Sequence, residues 1–300
     1  MSVLNAVERK IEQYIISLEH PEILALYRKL PAGKRLRAKL ILYIAGNNIS
    51  SIMLASIVEM IHAASLLHDD VIDDALTRRN KPSLNAIYGN KIAIMLGDVL
   101  YSKGFNELSR LDAKIAQIVS DAVIKLSIGE LDDVGMSKTF NTDKEKYIKM
   151  IYGKTASLIE ASACSAALLA GKSQEKYRIY GKNLGLAFQM IDDLLDVTSD
   201  SQTLGKPALH DFEEGKTTLP YIYLYDALSD QDKNRLQSLH GKILSKIDGD
   251  WVQEQMKIHN IPQKCYAEAA LLIEEAIALM QTEGETKLLS IAKEMIDRKF

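Results

Sequence analysis

Apolar side chains recur at positions 4, 7, 11, 14, 15 and 18, the three-to-four-residue step of a helix with one buried face. This predicts a helix over 3–18. After Pro31-Ala32-Gly33 a second helix is expected over about 34–45. A third, over about 49–75, is apolar nearly all round until its acidic end, and such a helix belongs in the middle of a bundle. The polar stretch at 77–83 (TRRNKPS) predicts a loop, with Pro82 stopping regularity. Helices follow near 84–89, 91–109, 112–136, 142–170 and 174–200. Segment 204–216 (LGKPALHDFEEGK) is expected to be the main interior loop, and three or more helices complete the chain. No internal repeat or long linker divides it. The expected fold is one all-α domain over residues 1–300, a bundle of about ten or more long helices.

Composition agrees. The chain has 300 residues but only six prolines, with none between Pro82 and Pro207. Strand-and-turn folds punctuate themselves with Gly and Pro roughly every 8–12 residues, so an all-β fold is excluded. Lys and Arg number 37 against 40 acidic residues, a net charge of -3, which leaves no footprint for nucleic-acid binding. Cys164 and Cys265 have no metal-ligand spacing and read as buried thiols in a reducing compartment. The first twenty residues carry Glu8, Glu12 and Glu19, the wrong chemistry for a targeting signal. The longest uncharged run, 40–58, holds Gly46-Asn47-Asn48 at its middle, which fits a turn between two buried helices better than a membrane span. The chain is therefore expected to be soluble and cytoplasmic.

Charge patterning adds the chemistry. Asp69, Asp70, Asp73 and Asp74 put four carboxylates in six positions directly after an apolar run. On a helix, residues three and four apart face one another. Two like charges about 4 Å apart repel by roughly 4 kcal/mol at an effective dielectric near 20. A helix end that needed only polarity would not concentrate that repulsion. Asp192, Asp193 and Asp196 repeat the DDxxD spacing, again between apolar residues. Such oxygen-only ligands select hard cations, and Mg²⁺ is held by one or two carboxylates together with substrate phosphates.

The cations fit the complementary role. Arg78 and Arg79 follow the first cluster, Lys34 and Arg37 lie three apart after Gly33, and Lys154-Thr155, Lys206 and Lys216 sit near breaks in the pattern. Together they suit a ligand with two adjacent phosphates. Gly153-Lys154-Thr155 and Gly215-Lys216-Thr217 end like a P-loop, but positions 148 and 210 are Ile and His where glycines are required. A di-iron carboxylate bundle is a rival, since Glu59 and His62 form ExxH; it needs two such motifs, and no other His has Glu three residues before it.

These segments resemble the trans-prenyl diphosphate synthases: GKRLRA at 33–38, EMIHAASLLHDDVIDDALTRRNKP at 59–82, GD at 97–98, GE at 129–130, GKT at 153–155, FQMIDDLLD at 188–196 and LGKPALHDFEEGKTTLP at 204–220. The resemblance implies an isoprenoid-synthase bundle around a central active-site cavity, a homodimer, and small diphosphates as substrates. It implies that Asp69 and Asp73 ligate two Mg²⁺ ions and Asp192 a third, Mn²⁺ being able to substitute, with Asp70, Asp193 and Asp196 in support. Arg78, Lys154, Lys216 and Lys206 become contacts of the allylic diphosphate. Lys34, Arg37, His62 and Arg79 become the isopentenyl diphosphate site. Thr155 and Gln189 would point an oxygen at the reacting allyl carbon. Ala38 stands where the family usually has Pro, Asn80 where it has Gly, and His210 replaces a small or acidic residue.

The implied reaction ionises an allylic diphosphate, farnesyl or geranylgeranyl. The double bond of isopentenyl diphosphate attacks the cation, and proton loss follows. Ala64 and Ser65, about one helical turn before Asp69, lie where short-chain members carry a bulky aromatic. The small pair points to a long product, roughly C30–C40, for quinone tails, handed on to membrane enzymes. The alternatives are a shorter-chain farnesyl or geranylgeranyl diphosphate synthase, a class I terpene cyclase, and a non-catalytic subunit of a two-protein synthase. Cyclases usually lack a second DDxxD, and silent subunits typically lose aspartates that are all present here.

Overall fold

The first periodic segment forms helix α1 (Val3–Ile16), with Val7, Ile11 and Ile15 fully buried. In this computed structural model, the structure describes residues 3–31, 33–198 and 208–296. A short helix that periodicity did not predict, α2 (Pro21–Tyr27), follows, with its proline in the first turn where no N–H is needed. Then come α3 (Leu36–Ala45), α4 (Ile49–Ile72), α5 (Leu84–Tyr88), α6 (Asn90–Leu108), α7 (Ala113–Met136), α8 (Lys144–Ile151), α9 (Ser157–Leu169) and α10 (Gln174–Thr198). The C-terminal part adds α11 (His210–Glu213), α12 (Leu219–Ala227), α13 (Asp230–Leu239), α14 (Lys246–Ile258), α15 (Ile261–Thr282) and α16 (Thr286–Ile296). The all-α expectation holds. The described chain forms two compact units, one of residues 1–121 with 161–178 and the other of residues 122–160 with 179–300.

The first unit is built around α4, which packs on α1, α3 and α6. Its start is fixed as the sequence predicted. Gly46 turns the chain at φ 77°, and Asn48 caps α4 by accepting from Ser51 N while Ser51 Oγ accepts from Asn48 N. Alone among the described helices, α4 is long and apolar enough to cross a membrane, yet most of its apolar stretch is buried inside the unit. Gly97 lets α6 approach it, since a Cβ there would overlap the His68 ring.

Three local details differ from the expectation. The third helix starts at Leu36, because Arg35 takes a left-handed conformation at φ 54°. The loop at 77–83 contains a two-strand ladder, β1 (Thr77–Arg78) against β2 (Lys81–Pro82), with Arg79 and Asn80 as its two turn residues. The predicted helix over 142–170 is interrupted between α8 and α9 by one π-helical turn, Tyr152–Ala156. Such turns occur frequently at functional sites.

In the second unit, α7 and the π-turn touch through glycines. A Cβ on Gly129 would overlap the backbone of Lys154, and one on Gly153 would lie 2.8 Å from Lys125 O. The π-turn is tied down further by Ser157 Oγ, which donates to Gly153 O (2.7 Å) and Ala122 O (3.2 Å). Elsewhere α15 packs on α12, α14 and α16, and Phe212 stacks on Tyr221 at 4.3 Å. Cys164 and Cys265 are buried and not joined in a disulfide, as expected.

The hairpin explains Asn80. Both turn residues have positive φ, Arg79 at 54° and Asn80 at 59°, the geometry of a type I′ turn that favours Asn-Gly pairs. Asn tolerates this region where most L-residues pay about 1–2 kcal/mol. Asn80→Gly is therefore expected to leave thermal stability within about 1 kcal/mol, whereas Asn80→Val lowers it by about 1–2 kcal/mol. Calorimetry of the two variants checks this, and equal melting temperatures would contradict it.

Candidate active site

An arginine cluster dominates one end of the first unit. Arg35 donates to both oxygens of Glu8 (Nε–Oε1 2.6 Å, Nη2–Oε2 3.0 Å) and, through Nη1, to Glu59 Oε2 at 3.1 Å. Glu59 is 3% exposed, and its other oxygen accepts from Ala38 N at 3.0 Å. Arg79 donates from Nη1 to Pro31 O at 3.0 Å, its guanidinium occupying the space a Cβ would fill on Gly33. Arg78 donates from Nε to Asp70 Oδ1 at 2.6 Å.

Arg35 and Arg78 are thus neutralised, while Arg37 and Arg79 have no carboxylate partner among the described residues. Burial, only partly offset by Glu59, lowers Arg37 to about 10. Burial and the charges of Arg78 and Arg35 lower Arg79. Burial, then Arg37, Arg79, Arg78 and Arg35, holds His62 well below the ordinary histidine value. The Nε of Arg37 and the Nδ1 of His62 are enclosed without a hydrogen-bond partner. Lys34 stands exposed just before the cluster. Arg37 and Arg79, two of the four predicted isopentenyl diphosphate residues, therefore both act electrostatically on a third, His62. Unpartnered donors and uncompensated cations are the signature of an anion site.

The same helix ends in the first aspartate motif. Helix α4 stops at Ile72, Asp73 is its C-cap, and Asp74 turns the chain at φ 48°. These carboxylates sit at the negative end of the helix dipole, which adds to their mutual repulsion. Asp69 is half-buried, while Asp70 is 4% exposed and bonded to Arg78. Burial raises the Asp70 pKa against the charge and hydrogen bond of Arg78, and Asp73 raises it further. Asn85 Nδ2 holds the turn by donating to Asp70 O and Ala75 O, each at 3.0 Å. Ala64 is fully buried, and Ser65 (3% exposed) donates to His62 O at 2.9 Å.

The second unit carries the other predicted residues. Lys154, on the π-turn, bonds Asp133 Oδ2 at 2.6 Å and Glu130 Oε1 at 3.2 Å, both on α7. Burial opposes its charge, but Asp133 and Glu130 raise its pKa overall, and the nearby Lys216 lowers it. Lys216 donates to Glu214 Oε2 at 2.8 Å. Thr155 Oγ1 donates to Gln189 Oε1 (2.7 Å), and Gln189 Nε2 donates to Asp193 Oδ1 (2.8 Å). Tyr147 OH donates to Asp193 Oδ2 at 2.6 Å. Burial and then Asp211 push Asp193 up to about 8, against the hydrogen bonds from Tyr147 and Gln189. Asp192 is half-buried, while Asp196 is 2% exposed and accepts from Asp211 N at 3.2 Å. Lys206 lies outside the described residues. His210, the departure in this segment, pairs with Glu214 at 3.1 Å.

Among the described residues, no three acidic, His or Cys side chains converge as a complete metal cage. The donor set still fits Mg²⁺, which takes one or two carboxylates and completes its shell with water and phosphate oxygens. Asp70 and Asp193 each accept hydrogen bonds from protein donors, Asp70 from Arg78 and Asp193 from Tyr147 and Gln189.

Arg35, Glu59, Glu130, Asp133 and Tyr147 were not among the predicted site residues. Glu130 and Asp133 carried a signal, an i,i+3 acidic pair facing one direction on α7. Tyr147 carried none.

Comparison with known proteins bears on these residues. The sequence model of the family described as polyprenyl synthetase matches residues 21–258. The chain is 37% identical over 221 residues to the short chain isoprenyl diphosphate synthase of Methanothermobacter thermautotrophicus, covering 70% of this chain and 68% of that protein. It is also 37% identical, over 229 residues, to the octaprenyl diphosphate synthase of Haemophilus influenzae, covering 72% and 69%. The crystal structure of octaprenyl pyrophosphate synthase from Helicobacter pylori matches with a TM-score of 0.94 and 43% identity, covering 99% of each chain.

The electrostatics of His62 give a solution test. Its imidazole is expected to titrate with a midpoint below 6.5, because burial and the arginines disfavour its charge. Inorganic diphosphate bound beside Arg37 and Arg79 supplies negative charge and is expected to raise that midpoint. NMR of the His62 ring with and without diphosphate measures the change; an unmoved or lowered midpoint would contradict the anion site.

Proposed function

Because the chain belongs to the polyprenyl synthetase family, it is a prenyl-transferring enzyme, and we propose that it joins farnesyl or geranylgeranyl diphosphate to successive isopentenyl diphosphates. The product is an all-trans polyprenyl diphosphate of the long-chain class, roughly C30–C40 and octaprenyl-like, made for quinone side chains. The observation that carries this reading is a pair of enclosed, unpartnered nitrogens, Arg37 Nε on α3 and His62 Nδ1 on α4, where His62 precedes Asp69 of the carboxylate cluster by two helical turns.

Isopentenyl diphosphate binds Lys34, Arg37, His62 and Arg79. Its charge offsets the desolvation of Arg37 and Arg79, and neutral His62 contributes a hydrogen bond. The allylic diphosphate is held by Arg78, Lys154, Lys216 and Lys206. Asp69 and Asp73 hold two Mg²⁺ ions and Asp192 a third, with Asp70, Asp193 and Asp196 keeping their neighbours in place. Bound there, Mg²⁺ supplies Lewis-acid stabilisation of the charge that builds on the departing diphosphate. Lys154 and Lys216, already fixed by carboxylates, stabilise the same charge without reorganising. Thr155 and Gln189 turn oxygen atoms towards the allylic cation, and the proton lost from the new chain goes to the released diphosphate. No protein nucleophile is needed.

We read residues 1–300 as one catalytic domain, cytoplasmic, acting as a homodimer and passing its product to membrane enzymes. The second reading, a shorter product, is favoured by the similarity to a short chain synthase. Against it stand Ala64 and Ser65, small residues where a shorter-chain enzyme would carry a bulky aromatic.

Two measurements test this reading. With isopentenyl and farnesyl diphosphates and saturating Mg²⁺, the protein alone is expected to make a long product, while Asp69→Ala and Asp192→Ala each lose at least about a hundredfold in turnover. Near-wild-type rates in either variant would sink the assignment. Chromatography of products from Ala64→Phe and Ser65→Phe is expected to give shorter chains, and unchanged lengths in both would reject the chain-length role.

A further inference from the structure

Within the second aspartate motif, Asp193 has both its oxygens engaged by protein side chains. Asp193 is 3% exposed, and each of its oxygens accepts a short hydrogen bond, Oδ2 from Tyr147 and Oδ1 from Gln189. Tyr147 is fully buried and sits on α8, just before the π-turn that carries Thr155. Gln189 lies one helical turn before Asp193 on α10, so the pair is an i,i+4 contact within a rigid helix. Thr155, Gln189, Asp193 and Tyr147 thus form one continuous chain of hydrogen bonds, every member of which belongs to the second unit.

The direction of that chain is set by chemistry. A carboxylate is an acceptor only, whereas a glutamine side chain offers NH₂ on one side and oxygen on the other. To the ionised Asp193, Gln189 presents its NH₂, donating to Oδ1 at 2.8 Å. Its oxygen is therefore turned to Thr155, whose hydroxyl donates its single proton to it. The lone pairs left over on Thr155 Oγ1 and Gln189 Oε1 carry partial negative charge, and no N–H from Gln189 faces that side. Were the amide flipped, Thr155 would meet an NH₂ group and the polarity would reverse.

We propose that Asp193 and Tyr147 are positioning residues that fix the amide of Gln189, and through it the hydroxyl of Thr155, so that oxygen lone pairs face the electron-poor carbon of the substrate. The role of Asp193 is thereby separated from that of Asp192 beside it: it orients an amide instead of ligating a cation. Tyr147 holds the carboxylate from the far side, so that Asp193 has one orientation in which to receive Gln189. This inference rests on the prenyl-transfer reading, which supplies the electron-poor carbon.

The test uses the full-length protein and four variants. Tyr147→Phe removes one hydroxyl and keeps the ring. It is expected to lower kcat roughly tenfold or more while leaving KM for isopentenyl diphosphate within about twofold, because loss of orientation acts in the transition state and not on the remote diphosphate. Asp193→Leu is expected to lose more. Asp193→Asn is expected to retain several-fold more activity than Asp193→Leu, since Tyr147 can rotate its hydroxyl to accept from the new NH₂ and leave the Asn oxygen for Gln189. In Tyr147→Phe/Asp193→Asn that advantage over Asp193→Leu is expected to disappear. A second readout needs neither substrate nor metal: the ¹⁵N-labelled side-chain NH₂ of Gln189 should exchange with water faster in Tyr147→Phe than in the wild type. Wild-type kcat in Tyr147→Phe, or a kcat loss matched by an equal rise in KM, overturns the inference. So does equal activity of Asp193→Asn and Asp193→Leu. Wild-type protein that fails to elongate any allylic diphosphate overturns the underlying reading instead, and the two failures are distinguishable.

Discussion

Crowding of like charges is the constraint around which the first unit is organised. Arg35, Arg37, Arg78 and Arg79 lie close enough for their fields to depress the ionisation of His62. Like charges brought into one low-dielectric region repel, and burial strengthens that repulsion. The fold offsets part of this and leaves part uncompensated. Glu8 and Glu59 answer Arg35, and Asp70 answers Arg78, while Arg37 and Arg79 have no ion-pair partner among the described residues and, of the acids, feel only the field of Glu59.

The same logic accounts for Ala38. The family commonly has proline there, which has no backbone N–H. Here the Ala38 N–H donates to Glu59, a carboxylate buried at 3% exposure that needs every partner it can find. The departure from the usual sequence thus adds a hydrogen bond under the arginine cluster. Asn80 is a second departure that geometry absorbs, since its turn demands positive φ and Asn is among the few side chains that accept it.

What the sequence made legible was whatever has a period or a charge. The apolar stripe placed α1, the all-round apolar character of α4 identified a central helix, and the two DDxxD motifs stood out by repulsion alone. The π-turn left no trace, because Met150, Ile151, Ala156, Leu158 and Ile159 are apolar on every side and a one-residue slip in phase changes nothing in the pattern. The hairpin was hidden for the opposite reason: its strands are two residues long, and Arg79-Asn80 lacks the glycine that advertises such turns. The ExxH formed by Glu59 and His62 was a real signal for a different arrangement. Its Glu anchors Arg35, and its His, one turn on, faces the arginines. Tyr147 was illegible because a buried tyrosine on an apolar helix face reads as core until its hydroxyl is seen on Asp193.

In the second unit the cations are handled differently, and the contrast bears on what each region binds. Lys154 is held by Asp133 and Glu130, and Lys216 by Glu214, so neither waits as an uncompensated charge. A lone monoanion approaching them must compete with carboxylates already in place and also meets Asp192, Asp193 and Asp211. Its net attraction is small. The first unit thus presents arginines outside ion-pair distance of any described acid, whereas the second presents lysines already paired with carboxylates, and the two charge patterns impose different costs on an approaching anion.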